Sequence, residues 1–265
     1  MIKFIATDMD GTLLRDDKTF NKEIFDVINI LSERGTFFAP ASSRPAVSLG
    51  RTFEPVKDKV FIIAQNGASV FYKGRRFLGE VMERELVKHI IDVCGRYPSA
   101  NMLIDGERYS YTDKPFVQET MNTPMFNYDS VLIDDLYSVK EDVFKISIFD
   151  PTDTDGAIRH NIAKKLEGLC ETAVSGPGCL DFVNTGVSKG TAVEKICKKL
   201  GIAFNEAAVF GDNFNDVSMF EKVYYSFAMG NASAEVKALA RFTAQSNNDD
   251  GVLRTVKRLC FEVEE

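Results

Sequence analysis

The chain has 265 residues and a mass of 29.6 kDa, with 45% apolar and 27% charged side chains. That mixture is globular rather than disordered or fibrous, and the length slightly favours two domains over one. No apolar run approaches the roughly 20 residues of a bilayer span, and a net charge of −7 argues against nonspecific binding to nucleic acid or anionic membrane.

Residues 1–4 lead straight into a strand-like segment without a charged leader and apolar stretch, so no signal peptide is expected. Cys94, Cys170, Cys179, Cys197 and Cys260 are odd in number and contain no CxxC, which predicts reduced thiols in a cytoplasmic protein. His89 and His160 have no ligand pattern around them and are given no role. Charge is unevenly spread: residues 82–185 hold 18 acidic and 10 basic side chains, a net of −8, while the remainder nets +1. The acidity belongs to the middle of the chain, a first sign of two domains with different tasks.

In chain order, residues 2–7 form an apolar run ending abruptly in Asp8-Met9-Asp10-Gly11-Thr12, the pattern of a buried strand opening into a loop. Ile24, Val27, Ile28 and Leu31 recur at helical spacing, with Gly35 placed as a C-cap. Strands follow at 36–41, ending in Ser42-Ser43-Arg44-Pro45, and at 60–64, ending in Gln65-Asn66-Gly67. This alternation predicts a doubly wound parallel sheet of Rossmann-like α/β type, closed by a hairpin over 68–72 and 76–81. From residue 82 the rhythm changes. A helix near 86–97, strands at 101–104 and 108–112, a polar stretch over 113–142, a strand at 143–149, a helix at 155–166, and strands at 170–174 and 179–183 around Gly176-Pro177-Gly178 read as an α+β unit, mainly antiparallel. The first rhythm returns at Ser188-Lys189-Gly190 with a helix over 191–200, a strand over 207–210 ending in Gly211-Asp212-Asn213-Phe214-Asn215-Asp216, a strand over 224–229, and helices after Asn231 and Gly251. The expected organisation is a core from residues 1–81 and 186–265, interrupted by an inserted α+β cap domain over 82–185.

Ligands of an open parallel sheet gather outside the carboxyl ends of its strands. There this reading places Asp8 and Asp10, Ser42 to Arg44, Lys189, and Asp212 with Asn215 and Asp216. Asp8, Asp10 and Asp212 brought together repel one another unless a cation sits among them. Three acidic positions without His or Cys partners suit a small hard ion, Mg²⁺ above all. Lys189 is expected on the other side of the site, with donors from Ser42 and Asn215 completing an anion cradle. Such a set suits a phosphoryl group, for which catalysis is mostly positioning and charge neutralisation. Phosphate-monoester hydrolysis needs accelerations of up to about 10²¹, which favours a covalent intermediate on a carboxylate.

Asp8-Met9-Asp10-Gly11-Thr12-Leu13-Leu14, Ser42, Lys189-Gly190 and Gly211-Asp212-Asn213-Phe214-Asn215-Asp216 resemble the four motifs of the haloacid dehalogenase superfamily, in order and at matching strand ends. The insertion point, Asn66-Gly67-Ala68, Val187-Ser188-Lys189-Gly190 and Met229-Gly230-Asn231-Ala232 resemble its Cof-type phosphatases with a class IIB cap. The resemblance implies Asp8 as the nucleophile that forms an aspartyl-phosphate and Asp10 as general acid, then base. It implies Ser42 and Lys189, assisted by Asn215, as phosphate holders. Asp8, the Asp10 backbone carbonyl and Asp212 would bind Mg²⁺, with Asp216 supporting them. The family's second motif usually reads Ala-Thr-Gly-Arg; here Ala41-Ser42-Ser43-Arg44 keeps the hydroxyl and adds the Ser43 side chain where backbone approaches phosphate.

Other residues are read more plainly. Asp16, Asp17 and Lys18 form a solvated turn, Phe37, Phe38, Tyr224 and Tyr225 are core strand residues, and Asp134 and Asp135 sit in a loop or cap. Asn231 caps the helix after it. Arg44 is read equally as a substrate contact or the partner of a local acid, and Asn66 as a turn residue or a substrate contact. The inserted domain is expected to close over the catalytic edge, excluding water during transfer and admitting it afterwards. Its net charge disfavours polyanionic substrates and favours a compact ester with a neutral or weakly cationic remainder, such as a sugar phosphate or pyridoxal phosphate. The expected protein is a small-molecule phosphatase without nucleic-acid or membrane partners, a monomer or weak homodimer. The alternatives are a phosphomutase on the same core and a receiver-like phospho-acceptor; the latter lacks the DxDGT arrangement and the large insertion.

Overall fold

The computed structural model describes residues 1–176 and 178–261. The first half of the core runs β1 (Phe4–Thr7), α1 (Glu23–Glu33), β2 (Phe37–Pro40), α2 (Ala46–Thr52), β3 (Phe61–Ala64), β4 (Ser69–Tyr72) and β5 (Arg75–Gly79). The middle of the chain supplies α3 (Arg84–Cys94), β6 (Asn101–Gly106), β7 (Ser110–Thr112), α4 (Pro115–Met121), β8 (Ser130–Leu132), β9 (Val143–Phe149), α5 (Ala157–Lys165), β10 (Glu171–Gly176) and β11 (Cys179–Val183). The chain then returns through α6 (Lys189–Leu200), β12 (Ala207–Gly211), α7 (Val217–Phe220), β13 (Tyr225–Ala228), α8 (Ala234–Leu239), β14 (Phe242–Thr243) and α9 (Gly251–Phe261).

The core sheet is parallel, in the order β14-β13-β12-β1-β2. Parallel bridges from Phe38 to Val60 and from Ala41 to Ile63 carry it on to β3, which turns back antiparallel through β4 and β5. Period-two alternation sends the strand side chains to opposite faces, and both faces are covered. Ile5, Phe38 and Phe210 pack with Ile24, Val27 and Leu31 of α1 and Val252 and Val256 of α9. Phe4, Ala6 and Val209 pack with Val193 and Ile196 of α6 and Val236 of α8. Each fully buried Ile or Phe contributes about 1.5–3 kcal/mol. The helix periodicity read from Ile24 to Leu31 is therefore the inner face of a three-layer α/β/α core.

The inserted unit is one six-stranded sheet in the order β10-β11-β9-β6-β7-β8, antiparallel except for β7 with β8. Ile104, Ile146, Ile148, Leu180 and Phe182 face helices α3 and α5 across an apolar layer. The intervening positions Leu103, Asp105, Lys145, Ser147 and Asp181 share the opposite face. Cross-strand register pairs Asp105 with Lys145 and sets Ser147 against both Leu103 and Asp181. The polar stretch over 113–142 is not structureless; α4 and β8 lie within it. Val117 is the buried residue of α4, and β8 has three residues. Pro177, in the predicted turn, lies outside the described residues.

Candidate active site

Asp8 follows β1, Ser42 follows β2, Lys189 opens α6 and Asp212 follows β12, so parallel pairing of β1 with β2 and β12 gathers their ends. Carboxylate oxygens of Asp8, Asp212 and Asp216 lie within 4.8 Å of one another. Lys189 Nζ donates to Asp8 Oδ1 at 2.5 Å and to Asp216 Oδ1 at 2.7 Å, with only 1% of the lysine exposed. Lys189 therefore stands between two of the carboxylates, not across the site from them as the sequence reading had it. Asp216 belongs to the acidic group itself. Its Oδ2 also accepts the backbone N–H of Asp212 and Asn213, which fixes the loop after β12. The Ser188 hydroxyl caps α6 by accepting from the Thr191 N–H and so sets where Lys189 leaves the helix.

Burial and the charges of Asp216 and Asp212 push the Asp8 carboxyl well above the ordinary aspartate range, against the opposing pull of Lys189. Burial and Asp216 lift Asp212 to about 6 although Thr12 donates to it at 2.8 Å. For Lys189, burial favours the neutral amine, but Asp216 and Asp8 outweigh it and hold the ammonium. Three converging carboxylates with oxygen ligands alone fit a small hard divalent cation, which would replace their mutual repulsion with attraction.

The Asp10 side chain points elsewhere. Arg44 grips it through Nε at 3.0 Å and Nη2 at 2.9 Å, and Lys18 Nζ adds a contact at 3.0 Å. Burial would raise this carboxyl, but Arg44 and then Lys18 bring it below the usual range. Of the two readings open for Arg44, the structure shows the acid partner. The third guanidinium nitrogen, Nη1, donates to the Met125 carbonyl of the cap at 3.2 Å. Lys18 is thus no mere solvated turn residue, and Asp16 beside it accepts from Asn247 and Asn248. Nothing in the local pattern signals either long-range contact.

Gly11 explains one feature of the first motif. Its φ is +82°, and a Cβ there would sit 2.4 Å from Asp212 Oδ2. The glycine both turns the loop and lets Asp212 come close. Asn231, expected as a helix cap, instead donates to the Gly11 carbonyl at 2.8 Å, and Ser233 caps α8. Ser42 is buried and its hydroxyl accepts from the Arg44 N–H at 3.3 Å. Ser43 has no left-handed backbone, so serine stands in the glycine position of the motif without conformational strain. Among the described residues the Asn215 side chain makes no hydrogen bond. Phe38 is fully buried, whereas Tyr224 is 40% exposed and stacks with Arg241 rather than joining the core. Asp135 caps the turn that follows it by accepting from the Tyr137 N–H.

Asn66 and Gln65, at the end of β3, have left-handed φ values of 55° and 52°, strained for residues with a Cβ. Both reach the inserted unit. Asn66 Nδ2 donates to Asp181 Oδ2 at 2.7 Å, and Gln65 Nε2 to the Gly106 carbonyl at 3.0 Å. Ser48 Oγ donates to the Phe126 carbonyl at 2.7 Å, and Arg51 pairs with Asp129 at 2.7 Å. The inserted sheet is thereby held over the strand ends by polar contacts.

The five cysteines are free thiols, and burial pushes Cys94 up to about 12 and Cys170 to about 11, so neither is a nucleophile near neutral pH. No described helix is long and apolar enough to cross a membrane.

This geometry agrees with the comparisons with known proteins. Residues 5–256 match the profile of the haloacid dehalogenase-like hydrolases. An Escherichia coli K12 protein named 5-amino-6-(5-phospho-D-ribitylamino)uracil phosphatase is 27% identical over 261 residues, covering 97% of this chain and 96% of its own. A crystal structure from Streptococcus mutans UA159 superposes with a TM-score of 0.89 at 28% identity, over 99% of this chain and 100% of that one. A sugar phosphatase of HAD subclass IIB shares the fold with a TM-score of 0.78 at 20% identity, over 97% and 98% of the two chains. With its parallel core, its inserted cap and a match along nearly its whole length, the chain belongs to the haloacid dehalogenase-like hydrolases, as a capped phosphate-monoester hydrolase of the Cof type.

Proposed function

We propose that the protein is a Mg²⁺-dependent phosphatase that hydrolyses small phosphate monoesters through an aspartyl-phosphate on Asp8, with residues 82–185 as its cap. The observation that carries this reading is the meeting of Asp8, Asp212 and Asp216 within 4.8 Å, with the Lys189 ammonium at 2.5 Å from Asp8. Asp8, Asp212 and the Asp10 backbone carbonyl would hold the ion, with Asp216 in support. Bound there, Mg²⁺ supplies charge neutralisation for the carboxylates and the phosphoryl oxygens.

Asp8 attacks phosphorus through a carboxylate oxygen, the P–O bond to the leaving group breaks, and Asp10 gives that group its proton. Water then attacks the phosphorus of the acyl phosphate, Asp10 takes the water's proton, and phosphate leaves with Asp8 restored. Lys189, with Ser42 and Asn215, holds the phosphoryl group; Ser43 and Arg44 border it, and Asn66 faces the leaving group. The Arg44 and Lys18 contacts keep Asp10 as a carboxylate, the form that accepts a proton in the second half of the cycle. The first half requires Asp10 to take up a proton and turn toward the ester. The site would act in the cytoplasm, in a monomer or weak homodimer.

The phosphorylated ribitylamino-uracil named for the Escherichia coli relative and hexose phosphates belong together in the substrate panel. The test is Mg²⁺-dependent release of inorganic phosphate by wild type and Asp8→Asn. Steady release by wild type and a loss of at least about 10³-fold in Asp8→Asn are expected; turnover surviving the substitution refutes the nucleophile. Transfer between substrate hydroxyls without phosphate release would make the protein a mutase.

A further inference from the structure

We infer that Asn231 and Asn247 are positioning residues of the reaction: their carboxamides hold the backbone carbonyls of Gly11 and Leu14 and so fix the loop that aims Asp8 and Asp10. The inference rests on the phosphatase reading above and adds the device that keeps its first motif in place.

The loop holds itself only on its inner side. It is a tight coil in which the N–H groups of Thr12, Leu13 and Leu14 turn inward, donating to the Met9, Asp8 and Met9 carbonyls at 3.3, 3.3 and 2.8 Å. Gly11 sits within it at φ +82°, where the lack of a Cβ lets Asp212 come close. The same lack makes Gly11 the residue of the coil most free to swing. Asp10, beside it, is the proton carrier and offers its carbonyl to the ion, so a swing at Gly11 moves both groups.

The outer side is met by amides from distant chain. Asn231, in the loop after β13, donates through Nδ2 to the Gly11 carbonyl at 2.8 Å. Asn247, in the loop after β14, donates through Nδ2 to the Leu14 carbonyl and to Asp16 Oδ1, both at 3.0 Å. The two are joined, because the Asn247 N–H donates to Asn231 Oδ1 at 3.0 Å. Asn247 is 1% exposed, so its bonds form away from competing water. The base they stand on is firm. The Gly230 N–H donates to the Gln245 carbonyl at 3.3 Å, and a Cβ on Gly251 would lie 2.1 Å from that oxygen.

Capping does not account for either asparagine. Ser233 accepts the Val236 N–H at the start of α8, and Ser246 accepts the Asn248 N–H at the turn over 247–249. Asn231 must accept from Asn247 and donate to Gly11 with one short side chain, which a carboxamide does and a carboxylate does not. Misplacing a reacting group by about 1 Å costs on the order of 10²-fold in rate. The loss should fall on kcat rather than KM, since Ser42 and Lys189, which hold the phosphoryl group, stand on other loops.

The test compares Asn231→Ala and Asn247→Ala with Ser233→Ala, which loosens the same stretch of chain as Asn231 without touching the first motif. We measure kcat and KM for p-nitrophenyl phosphate at saturating Mg²⁺, and Mg²⁺ binding to the metal-free proteins by calorimetry well below each Tm. Each asparagine variant should lose at least about tenfold in kcat, keep KM within about threefold and bind Mg²⁺ at least about threefold more weakly. Ser233→Ala should match wild type in all three. Asn231 is exposed, so its variant carries the test if Asn247→Ala fails to fold. A kcat or a Mg²⁺ affinity of Asn231→Ala within about twofold of wild type, or an equal loss in Ser233→Ala, overturns the inference. In either case Asp8-dependent turnover by wild type leaves the phosphatase reading standing. If wild type releases no phosphate, both fall.

Discussion

Arg44 holds the Asp10 carboxylate with two nitrogens, at 3.0 and 2.9 Å, while its third donates to the Met125 carbonyl of the cap. One guanidinium thus touches the proposed proton carrier and the domain that covers it.

Arg44→Lys keeps the charge but loses the planar fork, so it cannot grip both Asp10 oxygens and reach the cap together. We expect kcat to fall about tenfold and the acid limb of the kcat profile to move to higher pH. The sign follows from Arg44 holding the Asp10 carboxyl below its ordinary range; a weaker grip lets that value rise. A rate profile from pH 4 to 9 checks both, and an unmoved limb would separate Asp10 from the titration.

Lys189→Ala removes the ammonium that Asp8 and Asp216 share in a buried site. Loss of one preorganised electrostatic group costs about 10²–10³ in kcat. Stranding the two carboxylates costs about 3–5 kcal/mol of stability. Urea unfolding without metal measures the second effect, and Asp216→Asn in the same background should recover part of it.

Gly11→Ala puts a methyl group 2.4 Å from Asp212 Oδ2 and forces φ +82° on alanine. Gly74→Ala is the control, since φ is +70° there and nothing lies within 4 Å. Both should lose about 1–2 kcal/mol from the left-handed backbone. Only Gly11→Ala should lose activity, by at least about 10²-fold as Asp212 is displaced. Equal activities would remove the steric role given to Gly11.

Asp212 titrates at about 6 in the fold against 3.8 for a free aspartate. A carboxyl raised on folding supports stability fully below its unfolded value, and that support is lost as pH rises through the folded one. Above about pH 6 Asp212 is ionised, and the repulsion between it and its neighbouring carboxylates is what Mg²⁺ relieves. The rise in Tm with millimolar Mg²⁺ should therefore be large at pH 7.5 and small at pH 5, where protons compete for the same oxygens. Thermal melts with and without the ion at both values check it, and a shift independent of pH would count against the carboxylate site.

The core was legible because its short strands are apolar runs cut off by polar loops, as in residues 2–7 before Asp8, and such runs declare both strand and site edge. The cap was half legible. Asp105, Lys145 and Asp181 interrupt its apolar strands with charges whose burial depends on a core contributed by distant chain. The helix α4 buries Val117 alone, too little to stand out from a polar stretch. Lys18, Asn231 and the Arg44 partners were illegible for a related reason. Each acts across a loop closed by tertiary contact, and residue type does not reveal whom a flexible polar side chain will meet.

The pairing of β1 with β12 has a cost during synthesis. β1 emerges first, but its partner on one side, like the Asp212 that Thr12 contacts, is encoded about 200 residues later. At about 5–20 residues per second the ribosome needs roughly 10–40 s to deliver it. Through that interval Phe4, Ile5 and Ala6 present an open, sticky edge. The middle unit is contiguous and can collapse on its own meanwhile, so the newborn chain is a finished cap on an unfinished base, the stage at which chaperones have most to protect.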